Sequence, residues 1–193
     1  MNIRHAFGRV TTVVATAAGL AALGLTGVAS ASPAHMAVPA FATNTQICTI
    51  QSFDGHYLSA IGGGGRTTDV IETNRTVPST WETFTIVNSF DGASPPHYGI
   101  RTTNGNYLTA VGGGGRTTDV IHSNATQLQA WEAFVFIPLS GGGSTGWYAI
   151  QTIDGHYLTA VNSGGIGSAV EAIHSNATQI QAWEEFFFSC HGQ

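Results

Sequence analysis

Three copies of one pattern fill most of this chain, and that repetition constrains its fold more than any other feature of the sequence. The copies open on TIQSFDGHYLSAI (49–61), GIRTTNGNYLTAV (99–111) and AIQTIDGHYLTAV (149–161), with Gly55, Gly105 and Gly155 spaced 50 and 50 residues apart. They close on IETNRTVPSTWETF (71–84), IHSNATQLQAWEAF (121–134) and IHSNATQIQAWEEF (173–186), with Trp81, Trp131 and Trp183 spaced 50 and 52 apart. In such an array one unit cannot bury its apolar face alone, and neighbouring copies complete a shared core. At 193 residues the chain has room for one such domain.

Each copy reads as four short strands. Ile50, Gln51 and Ser52 alternate into a Asp-Gly or Asn-Gly turn, and Tyr57 to Ile61 alternate out of it, a strong hairpin signal. A glycine-rich loop follows (GGGG at 62–65 and 112–115), then the apolar pairs Val70-Ile71 and Val120-Ile121, then a last strand expected to begin at the Trp. The region after residue 31 shows no helical apolar period. Twelve short strands bury a face by curling, and closing the sheet removes its edges. The expected fold is therefore all-β and closed, with Ile50/Ile100/Ile150, Leu58/Leu108/Leu158 and Phe84/Phe134/Phe186 as its repeated core.

The N-terminal segment has a different character. A basic start (Arg4, His5, Arg9), an apolar stretch from Val10 to Val28 and the A-x-A sequence Ala29-Ser30-Ala31 predict a signal peptide over 1–31, followed by a flexible leader over 32–46. The repeats are then expected at about 47–96, 97–146 and 147–190 within a domain of 47–193. Cleavage after Ala31 leaves four Arg and no Lys against 11 acids, a formal charge of −7. That balance argues against phosphate backbones and anionic lipid, so neither nucleic acid nor membrane is expected as a partner. Cys48 and Cys190 bracket the repeated region, and an even pair in an exported protein reads as a disulfide.

Three four-stranded units with GxYLxA early and WExF late resemble the fascin-like branch of the β-trefoil fold, over about residues 47–190. Gln129-Ala130-Trp131 and Gln181-Ala182-Trp183 also resemble the QxW pattern of ricin-B-type lectin trefoils, from which Ser79-Thr80-Trp81 departs. The resemblance implies a secreted, bacterial carbohydrate-binding module of lectin type, with up to three equivalent sites and polysaccharides such as glucans among its ligands.

The sharpest site candidates are the pairs Trp81-Glu82, Trp131-Glu132 and Trp183-Glu184. A sugar presents an apolar C–H face and a rim of hydroxyls, which an aromatic plate beside a hydrogen-bond acceptor complements. Strand parity sets Phe84 and Ile86 on one face with Glu82, and Trp81 on the other. An outward Trp would form a platform, whereas QxW tryptophans in lectin trefoils are core residues, and both readings stand at this point. The acids Asp69, Asp119 and Glu171 read as sugar acceptors or as turn residues. Asn74, Asn124 and Asn176 head N-x-T sequons and read as turn residues, ligand donors or glycosylation acceptors. His122 and His174 read as surface or sugar-contacting groups. Arg66 and Arg116 lack a counterpart in the third copy, which predicts an altered third site.

No metal-ligand spacing, cofactor motif or catalytic elbow is recognisable, and GGGGRTT lacks the GK[ST] ending of a phosphate loop; it reads as a flexible loop that lets a ligand approach the backbone. Three recurring carboxylate sites suit binding, where an enzyme needs one asymmetric constellation. The expectation is a monomeric, non-catalytic, extracellular polysaccharide or glycan binder. Two other classes stay open: a protein-binding or protease-inhibitor trefoil using the variable linkers Asn88 to His97 and Leu139 to Gly146, and a structural extracellular protein.

Overall fold

The computed structural model describes residues 45–89, 91–167 and 172–192; the expected signal, the leader up to Asn44 and the candidate Glu171 lie outside the described residues. Strands come in three groups of four. The first is β1 (Gln46–Ser52), β2 (Tyr57–Ala60), β3 (Ile71–Arg75) and β4 (Thr83–Asn88). The second is β5 (Tyr98–Arg101), β6 (Tyr107–Ala110), β7 (Ile121–Ala125) and β8 (Val135–Gly142). The third is β9 (Thr145–Gln151), β10 (Tyr157–Ala160), β11 (Ile173–Ala177) and β12 (Glu185–Gly192).

The outer strands of the groups close a barrel. β1 pairs with β4, β4 with β5, β8 with β9, β9 with β12 and β12 with β1, all antiparallel. A bridge between Tyr98 and Phe134 joins β5 to the residue before β8 and completes the ring. The inner strands of each group form the hairpins β2–β3, β6–β7 and β10–β11, each hung on the first strand of its group. Six barrel strands with three hairpins make the closed all-β fold expected from the repeat, in the β-trefoil arrangement that the resemblance implies.

Period-two alternation decides which side chains fill the barrel. All three expected triads are buried: Ile50/Ile100/Ile150, Leu58/Leu108/Leu158 and Phe84/Phe134/Phe186. A further layer is less symmetric, with Tyr98, Phe136, Tyr148 and Phe188 in ring contact at centroid distances of 5.0 to 6.5 Å. At the position of Tyr98 and Tyr148 the first copy has Cys48, directly opposite Cys190 in the β1–β12 ladder and disulfide-bonded to it. The bond ties the ends of the domain together and is consistent with an extracellular setting.

Three expectations about local structure are corrected. The closing strand of each copy begins after the Trp, which sits instead in a short 3₁₀ turn at Thr80–Glu82, Ala130–Glu132 or Ala182–Glu184. The linker Leu139 to Gly146 is a β-hairpin whose strands pair out to Gly142 and Thr145, with the register shifted between Pro138 and Ser140; its glycine and serine content hides that pairing in the sequence.

The glycine-rich loops, expected to be flexible, are locked between copies. Gly65 N–H donates to Ser123 O and Ser123 N–H to Arg66 O. The same exchange joins Gly115 and Arg116 to Ser175, and Gly165 and Ile166 to Thr73, so the third copy returns to the first. Glycine is required where these loops press closest. At Gly64, Gly114 and Gly164 a Cβ would lie within 2.4 Å of the hydroxyl oxygen of Thr102, Thr152 or Ser52, and φ is positive at all three.

Candidate functional site

The three 3₁₀ turns expose their tryptophans and bury their glutamates. Trp81, Trp131 and Trp183 are 43%, 50% and 44% exposed. Each following Glu points inward and closes the turn, its Oε2 accepting the backbone N–H three residues earlier: Ser79 at 2.7 Å, Gln129 at 3.1 Å and Gln181 at 2.9 Å. The other oxygen of Glu132 accepts from the Thr109 hydroxyl at 2.6 Å, and that of Glu184 from Thr159 at 2.8 Å. In the first copy a serine replaces this threonine, and the Ser59 hydroxyl is buried without a hydrogen-bond partner. A buried carboxylate engaged on both oxygens holds a turn rigid. Glu132 and Glu184, engaged on both oxygens, hold their turns from beneath, and Glu82 is held through one oxygen; all three residues also line the hollows beside their rings.

Each Trp forms one wall of an open cleft. The third is the largest, about 470 Å³, with Asn176, Thr178, Gln179 and Gln181 around Trp183. The first, about 330 Å³, has Arg75, Val77, Ser79 and Thr80 around Trp81. The second, about 250 Å³, places Gln129 and Ala130 beside Trp131. Amides and hydroxyls beside an aromatic plate, joined by Arg75 in the first cleft, match the two-sided chemistry of a sugar ring.

Of the other described sequence candidates, Asn176 lines the third cleft and the rest do not converge on these clefts. Asp69 and Asp119 border a separate, largely apolar hollow of about 220 Å³ with Val70, Ile71, Val120, Ile121 and Ile173. Both have left-handed backbone, φ 48° and 51°, and both serve their own loops. Asp119 takes His122 Nε2 at 2.7 Å and Arg116 at 3.4 Å, and Asp69 lies 3.9 Å from Arg66. Arg66 and Arg116 also donate from Nε to Thr68 O and Thr118 O, and neither lines a Trp cleft. Asn74 and Asn124 are exposed at the ends of β3 and β7 but do not line a Trp cleft, unlike Asn176. His174 lies on β11 opposite Thr159, partly exposed. No group of three or more His, Cys, Asp or Glu is placed to hold a metal ion among the described residues.

The linker Asn88 to His97 carries one further organised feature, in which Asp91 accepts Ala93 N–H at 2.9 Å and meets His97 Nδ1 at 2.6 Å. These bonds, that to Ala93 first, hold the Asp91 carboxyl below its ordinary range. Sequence reasoning did not single out the amides and hydroxyls that furnish the clefts: Gln129 and Gln181 entered only as part of the QxW pattern and Thr178 only as the end of a sequon, and Gln179 carries no motif. It also passed over Trp147, the one Trp without a counterpart in the other copies.

No family model and no curated protein sequence matches the chain. Among solved structures it is similar to a designed three-fold symmetric protein, ThreeFoil, with a TM-score of 0.59 and 10% identity over 76% of this chain and 99% of that one. It is also similar to the Rhizoctonia solani agglutinin, with a TM-score of 0.56 and 12% identity over 78% and 96% of the two chains. A mosquitocidal holotoxin matches over 74% of this chain, with a TM-score of 0.57 and 9% identity, although the chain spans only 17% of that protein's length. The chain thus has the β-trefoil fold, shared at a level of identity that speaks for architecture alone.

Proposed function

We propose that this protein is a secreted, non-catalytic carbohydrate-binding module that engages a polysaccharide through up to three clefts at corresponding positions, one per repeat. The observation that carries the reading is the exposure of all three tryptophans on turns whose glutamates are buried and bonded to the backbone three residues earlier. Exposing a large ring three times over forgoes roughly 2 kcal/mol of burial at each position. A fold that could bury these rings instead presents them, in each case beside hydrogen-bonding groups. The similarity to an agglutinin supports the same reading.

Within it, Trp81, Trp131 and Trp183 stack on the C–H face of a sugar, and Arg75, Gln129, Asn176, Gln179 and Gln181 meet its hydroxyls. Glu82, Glu132 and Glu184 position the rings. One such contact is weak, about 4 kcal/mol at millimolar affinity. Three on one rigid body gain through effective concentration along a polymer.

The test is titration with a panel of soluble glucans and other polysaccharides, followed by tryptophan fluorescence and calorimetry. Polymer binding much tighter than binding of the matching monosaccharide is expected. Replacing one Trp by Ala should weaken polymer binding several-fold, Trp183→Ala most because its cleft is largest. If no polysaccharide binds, or if the triple Trp→Ala variant binds like the parent, the clefts are not the site.

A further inference from the structure

The fold carries one aromatic feature that the three-fold repeat does not explain. Phe53 in the turn after β1, Trp147 on β9 and Phe187 on β12 form a continuous strip, with ring centroids 5.7 Å apart for Phe53–Trp147 and 5.3 Å for Trp147–Phe187. Phe187 and Trp147 are directly paired across the β9–β12 ladder, and both alternate with core residues, so they face away from the barrel interior. Phe53 is 46% exposed. The strip shares no residue with the clefts around Trp81, Trp131 and Trp183.

Symmetry shows that folding does not require it. At the position of Phe53 the other copies have Thr103 and Ile153; at that of Trp147 they have Ile47 and His97; at that of Phe187 they have Thr85 and Val135. The barrel closes at the other two seams without aromatics, so three large rings have been gathered on one outer face of one seam.

The surroundings identify the chemistry they suit. In the ladder Phe187 stands between Gln51 and Trp147, and Trp147 between Phe187 and Ser140. The next row is Thr49, Ser189 and Thr145. Strands β1, β8, β9 and β12 contain no Lys or Arg, and Glu185 is their one acid. A row of hydroxyls with no cation complements sugar hydroxyls and gives no hold on anionic lipid. The rings are tilted by 49° and 59° to each other, which fits a single chain that turns from one ring to the next and does not fit a flat crystalline surface.

We infer that Phe53, Trp147 and Phe187 form a fourth, non-equivalent contact surface for a single polysaccharide chain, one per molecule. The inference rests on the carbohydrate reading above for its ligand class, though not for its residues. A polymer long enough to reach both surfaces gains avidity, whereas a short oligosaccharide occupies one at a time.

The experiment compares the full chain with three variants: Phe53→Ala, the pair Phe53→Ala/Trp147→Ala, and Trp81→Ala/Trp131→Ala/Trp183→Ala. The probes are hydroxyethyl cellulose, a soluble β-1,3-glucan, a soluble α-glucan and the short oligosaccharide of each, with circular dichroism as the check on folding. The strip pair is expected to lose about tenfold in affinity for the bound polymer with little change for its oligosaccharide, and the cleft triple to keep residual polymer binding. Phe53→Ala, at an exposed turn, is the safeguard should Trp147→Ala impair folding, and it should weaken polymer binding several-fold by itself. A parent that binds polymer while both strip variants match it overturns the strip and leaves the clefts standing. Full binding by the cleft triple, lost on adding Phe53→Ala, upholds the strip and overturns the clefts. A parent that binds none of the probes overturns both.

Discussion

Glu132 illustrates how one residue can belong to a site without facing its ligand. One oxygen holds Gln129 N–H, the other holds the Thr109 hydroxyl, and Trp131 is aimed outward as a result. Glu132→Ala leaves a part-buried N–H and a buried hydroxyl unpaired and opens a void. The variant should lose about 2–3 kcal/mol of stability, read as a lower urea midpoint with an unchanged slope. Glu82→Ala should cost less, because its threonine partner is replaced by Ser59, whose hydroxyl is already unpaired. Equal losses in the two copies would show that the threonine bond contributes nothing.

Among the elements, the glycine-rich loops act as clasps between copies. Each lends backbone N–H and C=O groups to the third strand of the next copy, and the ring closes from the third copy to the first. Gly114 sits at φ +121°, with Thr152 Oγ1 2.4 Å from where a Cβ would be, whereas Gly55 sits at φ +82° with open space around it. Gly114→Ala should therefore combine backbone strain with overpacking, about 2–4 kcal/mol, while Gly55→Ala should cost about 1–2 kcal/mol from strain alone. Chemical denaturation of the two variants side by side checks this. Similar losses would mean that the close approach relaxes freely and the clasp is loose.

For the whole molecule, closure is enforced twice, by the β1–β12 ladder and by the disulfide within it. The bond spans a sequence separation of 142 residues. Replacing both cysteines by serine should cost on the order of 2–5 kcal/mol, mostly through the gain in freedom of the unfolded chain. Thermal unfolding of the variant should begin at lower temperature while its folded circular dichroism stays that of the parent, because the ladder survives. A variant that loses its sheet signal at low temperature would show that the bond, and not the ladder, closes the barrel.

The repeat, the alternation of Ile50 and Phe84 with their neighbours, and the placing of the cysteines at the two ends were enough to set the closed three-fold fold and its core, because burial on a strand follows a period that can be counted along the chain. The direction of the tryptophans was left open: strand parity with Phe84 and Ile86 favoured the outward one, but each Trp stands in a 3₁₀ turn ahead of the strand, where that parity does not apply. What the Glu side chains hold, which concavity Asp69 and Asp119 border, and the meeting of Phe53 with Trp147 and Phe187 emerged only in three dimensions. Each depends on residues brought together from different copies or by a turn that breaks the alternation, and such distances are set by chain closure, which no local spacing encodes.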